Sequence, residues 1–251
     1  MNVGDLVTRK SHNHDIVLKI TRIEGNMCYL KGLAYRIICD SPLNDLELAT
    51  KERLDLEETG NRRYEAKIKK PNIKYLSGKI LHIDGDENLL NKCLDLYKRF
   101  SIYAKGVYLD EKDIGDNILD LIEKYRPDIL VITGHDAYNK KGVKNLDNYL
   151  NSKHFVDSIV KVREKYKSKD LVIIAGACQS HFEALIASGA DFATSPQRVN
   201  VHTFDPAIIA IITSLTPFNE IVDFKLILRY SSNLEKGVGG LETYGKMRLL
   251  L

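Results

Sequence analysis

Asp170-Leu171-Val172-Ile173-Ile174-Ala175-Gly176-Ala177-Cys178-Gln179-Ser180 is a short apolar run that breaks into small residues and ends on a thiol. Leu171 to Ile174 are mostly β-branched and too few for a helix, so they read as a buried strand. Ala175, Gly176 and Ala177 let the backbone turn tightly and come close to a ligand. Cys178 then sits where the strand gives way to a helix starting near His181. Ligands of open α/β sheets bind beyond the carboxyl ends of the strands, which is where this cysteine is placed.

Asp128-Ile129-Leu130-Val131-Ile132-Thr133-Gly134-His135-Asp136 has the same build: a short apolar strand, a small turn, one reactive side chain. The interval between His135 and Cys178 holds one crossover helix, the connection that neighbouring parallel strands require. One strand end presents an imidazole and the next a thiol on one sheet edge, the arrangement of a Cys–His nucleophile. A lone cysteine at a strand end is commonly an apolar filler. The matched histidine changes that reading, because a reactive cysteine needs a partner that helps form its thiolate.

The rest of the 251 residues is organised around this pair. Residues 1–49 carry short alternating runs at 3–7, 16–20, 27–30 and 35–39 separated by turn signals. These predict a small β-barrel domain of SH3-like type, a fold that binds peptides or other protein partners, RNA, or nothing. His12 and His14 flank one of its turns and read as solvated. Residues 50–75 are dense in charge and end at Pro71, predicting a linker with a solvated helix. From 76 to 251 strands and amphipathic helices alternate. The expected fold there is α/β, a mostly parallel sheet with helices on both faces. Cys93 lies on an apolar helical stripe and reads as core. Asp205 and Pro206 form the start signature of the apolar helix 207–215. Phe224–Leu228 is a further apolar run, and Gly237–Gly240 reads as a glycine-rich turn.

The 37 basic and 34 acidic residues nearly balance, so charge gives no reason to expect nucleic acid. Cys28, Cys39, Cys93 and Cys178 have neither zinc-site nor disulfide spacing, and no metal or other cofactor is expected. No glycine-rich phosphate loop is present. No apolar run approaches the roughly 20 residues of a membrane span, and the amino terminus has no signal-peptide pattern. The expected location is a reducing cytoplasm.

The stretches ITGHD and IAGACQS resemble the histidine and Ala-Cys strand ends of the caspase, clostripain, gingipain and legumain superfamily of cysteine peptidases. Asp136 stands where that superfamily has glycine. Over nearly the whole chain the resemblance is to the YabG family of sporulation peptidases, through VGDLVTRKS, ITGHDAY and GACQSHFEALIASGADFATSPQRVNVHTFDPA. That likeness implies a cysteine endopeptidase of the mother cell of a sporulating bacterium, associated with the spore coat. Its substrates would be coat and germination proteins, cut after arginine, and it would also cleave itself.

Under this resemblance Cys178 attacks the scissile carbonyl, while His135 supports its ionisation and protonates the leaving amine. The backbone N–H groups of Cys178 and Asp136 would form the oxyanion hole. An arginine pocket needs a carboxylate, and Asp84 and Asp86 lie on the same sheet edge, though Asp-Gly-Asp is also an ordinary turn. Asp136 either orients His135 or caps the following segment. Arg198 and His202 belong to a loop bordering the cleft and serve either substrate binding or structure. His181 ranks below His135 as a base. Arg62-Arg63 in the linker is a candidate self-cleavage site. Two competing readings remain: a glutamine-amidotransferase-like amidohydrolase with His202 as base, and a non-enzymatic coat scaffold.

Overall fold

The computed structural model describes residues 1–63, 68 and 71–250, with the side chains of 58–63 outside the description. The amino-terminal strands are β1 (Leu6–Arg9), β2 (Leu18–Glu24), β3 (Met27–Gly32), β4 (Ile38–Pro42) and β5 (Leu46–Leu48). They form one antiparallel sheet in the order β4-β3-β2-β1-β5. Inward residues of this sheet, among them Val7, Leu18, Ile20, Cys28 and Leu30, are essentially inaccessible. Their cluster also takes in Cys178 and Val201 from far along the chain. The alternating run at 35–39 becomes a strand only from Ile38; Tyr35, Arg36 and Ile37 leave the sheet. The fifth strand, Leu46–Leu48, is too short to stand out by alternation.

Helix α1 (Lys51–Arg63) opens the charged segment. Arg53 donates to the His14 carbonyl and Glu57 accepts from the Val17 N–H at 3.1 Å, so side-chain polarity, not an apolar stripe, fastens α1 to the β sheet. Residues 64–67, 69 and 70 of the expected linker lie outside the described residues, as do the Arg62 and Arg63 side chains. Beyond them β6 (Tyr75–Leu76) pairs antiparallel with β13 (Arg248–Leu249) near the carboxyl end.

The central sheet has the order β12-β11-β10-β9-β7-β8. Five strands are parallel: β7 (Ile80–Asp84), β8 (Ala104–Tyr108), β9 (Ile129–Thr133), β10 (Val172–Ala175) and β11 (Phe192–Thr194). The edge strand β12 (Val238–Gly240) runs antiparallel to β11. It occupies the predicted glycine-rich turn. A Cβ on Gly240 would stand 2.3 Å from the Phe192 ring and 2.7 Å from the Asp191 carbonyl, so glycine here permits close strand approach and does not mark a turn.

Six helices cover both faces. Those of the sheet unit are α2 (Glu87–Arg99), α3 (Ile114–Tyr125), α4 (Ser152–Lys165), α5 (Phe182–Ala187), α6 (Phe204–Leu215) and α7 (Phe224–Tyr230). Helices α2, α6 and α7 pack on Ile80, Val131, Val172 and Ile174. Helices α3, α4 and α5 pack on Leu81, Ile83, Leu130, Ile132 and Ile173. Alternate residues of each strand thus serve opposite faces, and because both faces are covered the strands read as continuous apolar runs. Each such fully buried Ile or Val contributes roughly 1.5–3 kcal/mol. Helix α6 is buried at every position. It begins at Phe204 with Thr203 as N-cap, one turn's edge earlier than the Asp205-Pro206 signature implies. Asp205 still serves the helix start by accepting from the His202 N–H at 3.1 Å.

Candidate active site

Register alone brings three of the candidate residues into a row. Strand β7 pairs Asp84 with Thr133 of β9, so Asp86 and His135 each lie two residues beyond paired positions. Strand β9 pairs Ile132 with Ala175 of β10, so His135 and Cys178 each lie three beyond. Asp86, His135 and Cys178 therefore come from the carboxyl ends of three neighbouring strands, β7, β9 and β10.

His135 is fixed on several sides. Its Nε2 lies 3.0 Å from Asp86 Oδ2. Its backbone N–H donates to Glu111 Oε1 at 2.7 Å, and its carbonyl accepts from Asn151 Nδ2 at 2.8 Å. Burial alone would raise the Asp86 carboxyl, yet the bonds from His135 and the Leu89 N–H bring it down to about 2. An ionised carboxylate only accepts, so Nε2 carries the proton and Nδ1 is the basic nitrogen. Nδ1 is buried with no hydrogen-bond partner. Asp86 also caps α2, accepting from the Asn88 and Leu89 N–H groups. One carboxylate thus ties the start of α2 to the orientation of the imidazole.

Asp136 does not orient His135. It accepts from the Ala137 and Asn151 N–H groups at 2.9 and 2.8 Å and from Ser152 Oγ at 2.5 Å, which anchors the loop before α4. Burial raises its carboxyl above the ordinary value.

Cys178 lies in a tight turn. Gly176 has φ +119°, and a Cβ there would stand 2.6 Å from Thr194 Oγ1, so only glycine fits. Gln179 follows at φ +58°, an uncommon conformation for a residue with a side chain. Ser180 Oγ closes the turn by accepting from the Ala177 N–H at 2.9 Å. Helix α5 starts only at Phe182, capped by His181, and runs six residues. Cys178 thus precedes the helix by a full turn, and its N–H is not one of the helix's own free donors. The thiol is fully buried. Its Sγ accepts from the Val201 N–H at 3.1 Å and faces the Val201 carbonyl at 3.5 Å. Burial pushes it up to about 12, against the pull of the Val201 N–H.

Asp84 separates from Asp86 in role. It is wholly buried and holds the Arg36 guanidinium, Nη1 to Oδ2 at 2.5 Å. Thr133 Oγ1 donates to the same oxygen at 2.9 Å, and the Asp86 N–H donates to Oδ1 at 3.0 Å. Burial would raise this carboxyl, but the Arg36 charge and His82 hold it well below the usual range. His82 bridges Tyr97 and Thr133 at 2.9 and 2.8 Å, and Arg36 Nη2 reaches Cys93 Sγ at 3.6 Å. The whole enclosure is shaped around a guanidinium. Cys93 is core, as its helical stripe predicts, and also lines this enclosure.

Arg198 is engaged away from the row: it pairs with Glu183 at 2.9 and 2.5 Å and with the Tyr149 hydroxyl at 3.0 Å. His202 is buried, accepts from the Phe204 N–H on Nδ1 at 3.1 Å, and packs edge-on to Tyr35. Burial pushes its imidazole down to about 3, with Lys92 and Arg36 adding to the effect. His181 packs against Tyr149. His14 bonds Thr8 Oγ1 at 2.7 Å, and among the described residues no group of three or more His, Cys, Asp or Glu could hold a metal ion. No helix among them is long and apolar enough to cross a membrane.

Two residues escaped the sequence reading. Glu111 fills the space over Gly85 and Gly134, where a Cβ on either would stand within 2.5 Å of its carboxylate, and so fixes the His135 backbone. Arg36 sat inside an apparent strand.

The family model described as YabG peptidase U57 matches residues 2–72 and 55–251. The sporulation-specific protease YabG of Bacillus subtilis (strain 168) is 40% identical over 279 aligned positions, spanning 98% of this chain and 96% of that protein. With sequence likeness over essentially its full length, the chain belongs to the YabG family of sporulation-specific proteases.

Proposed function

We propose that the protein is a cysteine endopeptidase that cuts after arginine, with Cys178 as nucleophile, His135 as its acid–base partner and Asp86 as the group that orients His135. The observation that carries this reading is the row of Asp86, His135 and Cys178 at matched positions past three adjacent parallel strands. With Nε2 committed to Asp86, Nδ1 of His135 takes the thiol proton and later returns it to the leaving amine. The thiolate carbon–sulfur bond forms as the carbonyl electrons move to oxygen. In this reading the backbone N–H groups of Cys178 and Asp136 donate to that oxyanion.

Asp84 is the specificity residue in this reading. A buried carboxylate that already accepts a guanidinium offers the planar fork its matched acceptor. Protein substrates follow from protease chemistry, and sporulation from the family. Coat and germination proteins as the substrates, action at the spore coat, and self-cleavage at Arg62-Arg63 extend that reading. The strand order of the amino-terminal sheet, with a 3-10 turn at Leu43–Asp45 before β5, supports the small-barrel reading of residues 1–49.

The test is cleavage of an arginine-containing protein by wild type, Cys178→Ala, His135→Ala and His202→Ala. Loss in the first two variants with His202→Ala active supports the assignment. Undiminished cleavage by His135→Ala would move the base to His202 and undo it.

A further inference from the structure

The arginine seat is filled, and by the chain itself. Between β3 and β4 the chain leaves the amino-terminal sheet and crosses the cleft as extended backbone. The Arg36 N–H donates to the Val201 carbonyl at 3.3 Å, and the Thr203 N–H donates to the Ala34 carbonyl at 2.9 Å. Tyr35 stands antiparallel to His202 between these two bonds. This is strand addition, the mode in which an extended peptide gains affinity from main-chain bonds while alternate side chains enter pockets.

The side chain that enters is Arg36. It is fully buried, meets Asp84 and Cys93, and its backbone lies against the Cys178 thiol. An ion pair that only pinned two units together would need neither the main-chain pairing nor a thiol at its base. The segment is also held from outside the cleft. Lys92 Nζ donates to the Leu33 carbonyl at 2.7 Å, and Lys31 reaches Asp86 at 3.5 Å. Gly32 lets the chain double back, since a Cβ there would stand 2.3 Å from the Tyr35 carbonyl oxygen.

Resting on the peptidase reading above, we propose that Ala34-Tyr35-Arg36 is a tethered substrate mimic that fills the arginine seat beside Cys178 and keeps the enzyme latent until a substrate strand displaces it. The ligand class follows directly: an extended peptide whose arginine side chain meets Asp84 while its backbone lies against the thiol. A tethered occupant acts at an effective concentration on the order of mM, so an incoming peptide competes on unequal terms.

The experiment compares full-length wild type with Arg36→Ala by two readouts. One is the rate of Cys178 alkylation by iodoacetamide, mapped by mass spectrometry. The other is hydrolysis of a fluorogenic arginyl peptide. Alkylation about tenfold faster and KM about tenfold lower in Arg36→Ala are expected, because an intramolecular occupant reduces apparent affinity by the fraction of molecules with the seat open. If Arg36→Ala does not fold, Arg36→Lys carries the same comparison, since it keeps a cation beside Asp84 but loses the fork. Faster alkylation with no hydrolysis by either protein shows that Arg36 covers the thiol but rejects the peptidase reading and, with it, the substrate-mimic role. Hydrolysis with equal kinetics and equal alkylation in both rejects the mimic and leaves the peptidase standing.

Discussion

Asp84 and Asp86 are two residues apart and do different work because strand register sends one beneath the cleft floor and the other toward His135. Replacing Asp84 by Asn leaves the Arg36 guanidinium buried without its counter-charge. Breaking one side of a buried pair costs about 3–5 kcal/mol. Chemical denaturation of Asp84→Asn is expected to show a loss of that size, and its residual activity should no longer favour arginyl over lysyl peptides. Asp86→Asn is a milder change in shape. It is expected to lower kcat by about 10²–10⁴-fold with KM little changed, because the imidazole loses its orienting carboxylate. A fall in KM-limited binding with kcat intact would contradict that role. The variant also has a pH signature. A carboxyl held down at about 2 stabilises the fold above its ordinary value and loses that contribution as pH falls through about 2. Acid unfolding of Asp86→Asn should therefore lack part of the slope that wild type shows below pH 4. The Asp-Gly-Asp pair was visible in the sequence, but which carboxylate took which task was not, because only pairing with β9 distinguishes them. Arg36 was hidden for a different reason. Tyr35 to Cys39 alternates as a strand should, and nothing local marks where it leaves the sheet.

Among the elements, the loop from β11 to α6 does the most to build the cleft. It supplies Val201 to the thiol, the Val201 carbonyl and Thr203 N–H to the crossing strand, and His202 to the packing beneath Tyr35. His202 of this loop and Asp205 at the start of α6, both buried, oppose each other in pH. His202, pushed down to about 3, gives stability that is present above its ordinary value of 6.5 and lost as pH falls toward 3. Asp205, which burial raises to about 6, favours the fold below its ordinary 3.8 and loses that as pH rises through 6. Removing the histidine should leave only the second trend. His202→Gln is thus expected to flatten the loss of stability between pH 6.5 and 4, measured as Tm against pH; an unchanged profile would mean His202 is not held neutral. The strands ending at His135 and Cys178 were legible because buried parallel strands are short, β-branched and uninterrupted. Strand β12 was not, because its glycines answer to the Phe192 ring across the sheet and not to a turn. Helix α1 was half legible: its charge marked a solvated segment, while its hold on the β sheet rests on Arg53 and Glu57 reaching backbone groups.

At the scale of the molecule, the amino-terminal sheet and the α/β unit share a core. Cys178 and Val201 belong to the cluster of Val7, Leu18 and Leu30. The thiol is therefore packed against residues of the first unit as well as its own. That burial pushes the Cys178 thiol up to about 12, so under the proposed reading the nucleophile rests protonated and covered. Under that reading, activity requires the crossing strand to yield. The division into a small β unit, a charged segment and an α/β unit could be anticipated from composition. The contact between them could not, since it depends on residues more than a hundred positions apart.

Cys178 and His135 are proposed to act together on arginyl carbonyls. The most direct measurement is to treat wild type and Arg36→Ala with a peptidyl-arginyl chloromethyl ketone and map the adduct by mass spectrometry, alongside His135→Ala in each background. A single adduct on Cys178, faster in Arg36→Ala and strongly slowed by His135→Ala, is the predicted result. An adduct on Cys28, Cys39 or Cys93 instead, or labelling of Cys178 that His135→Ala leaves unchanged, would contradict it.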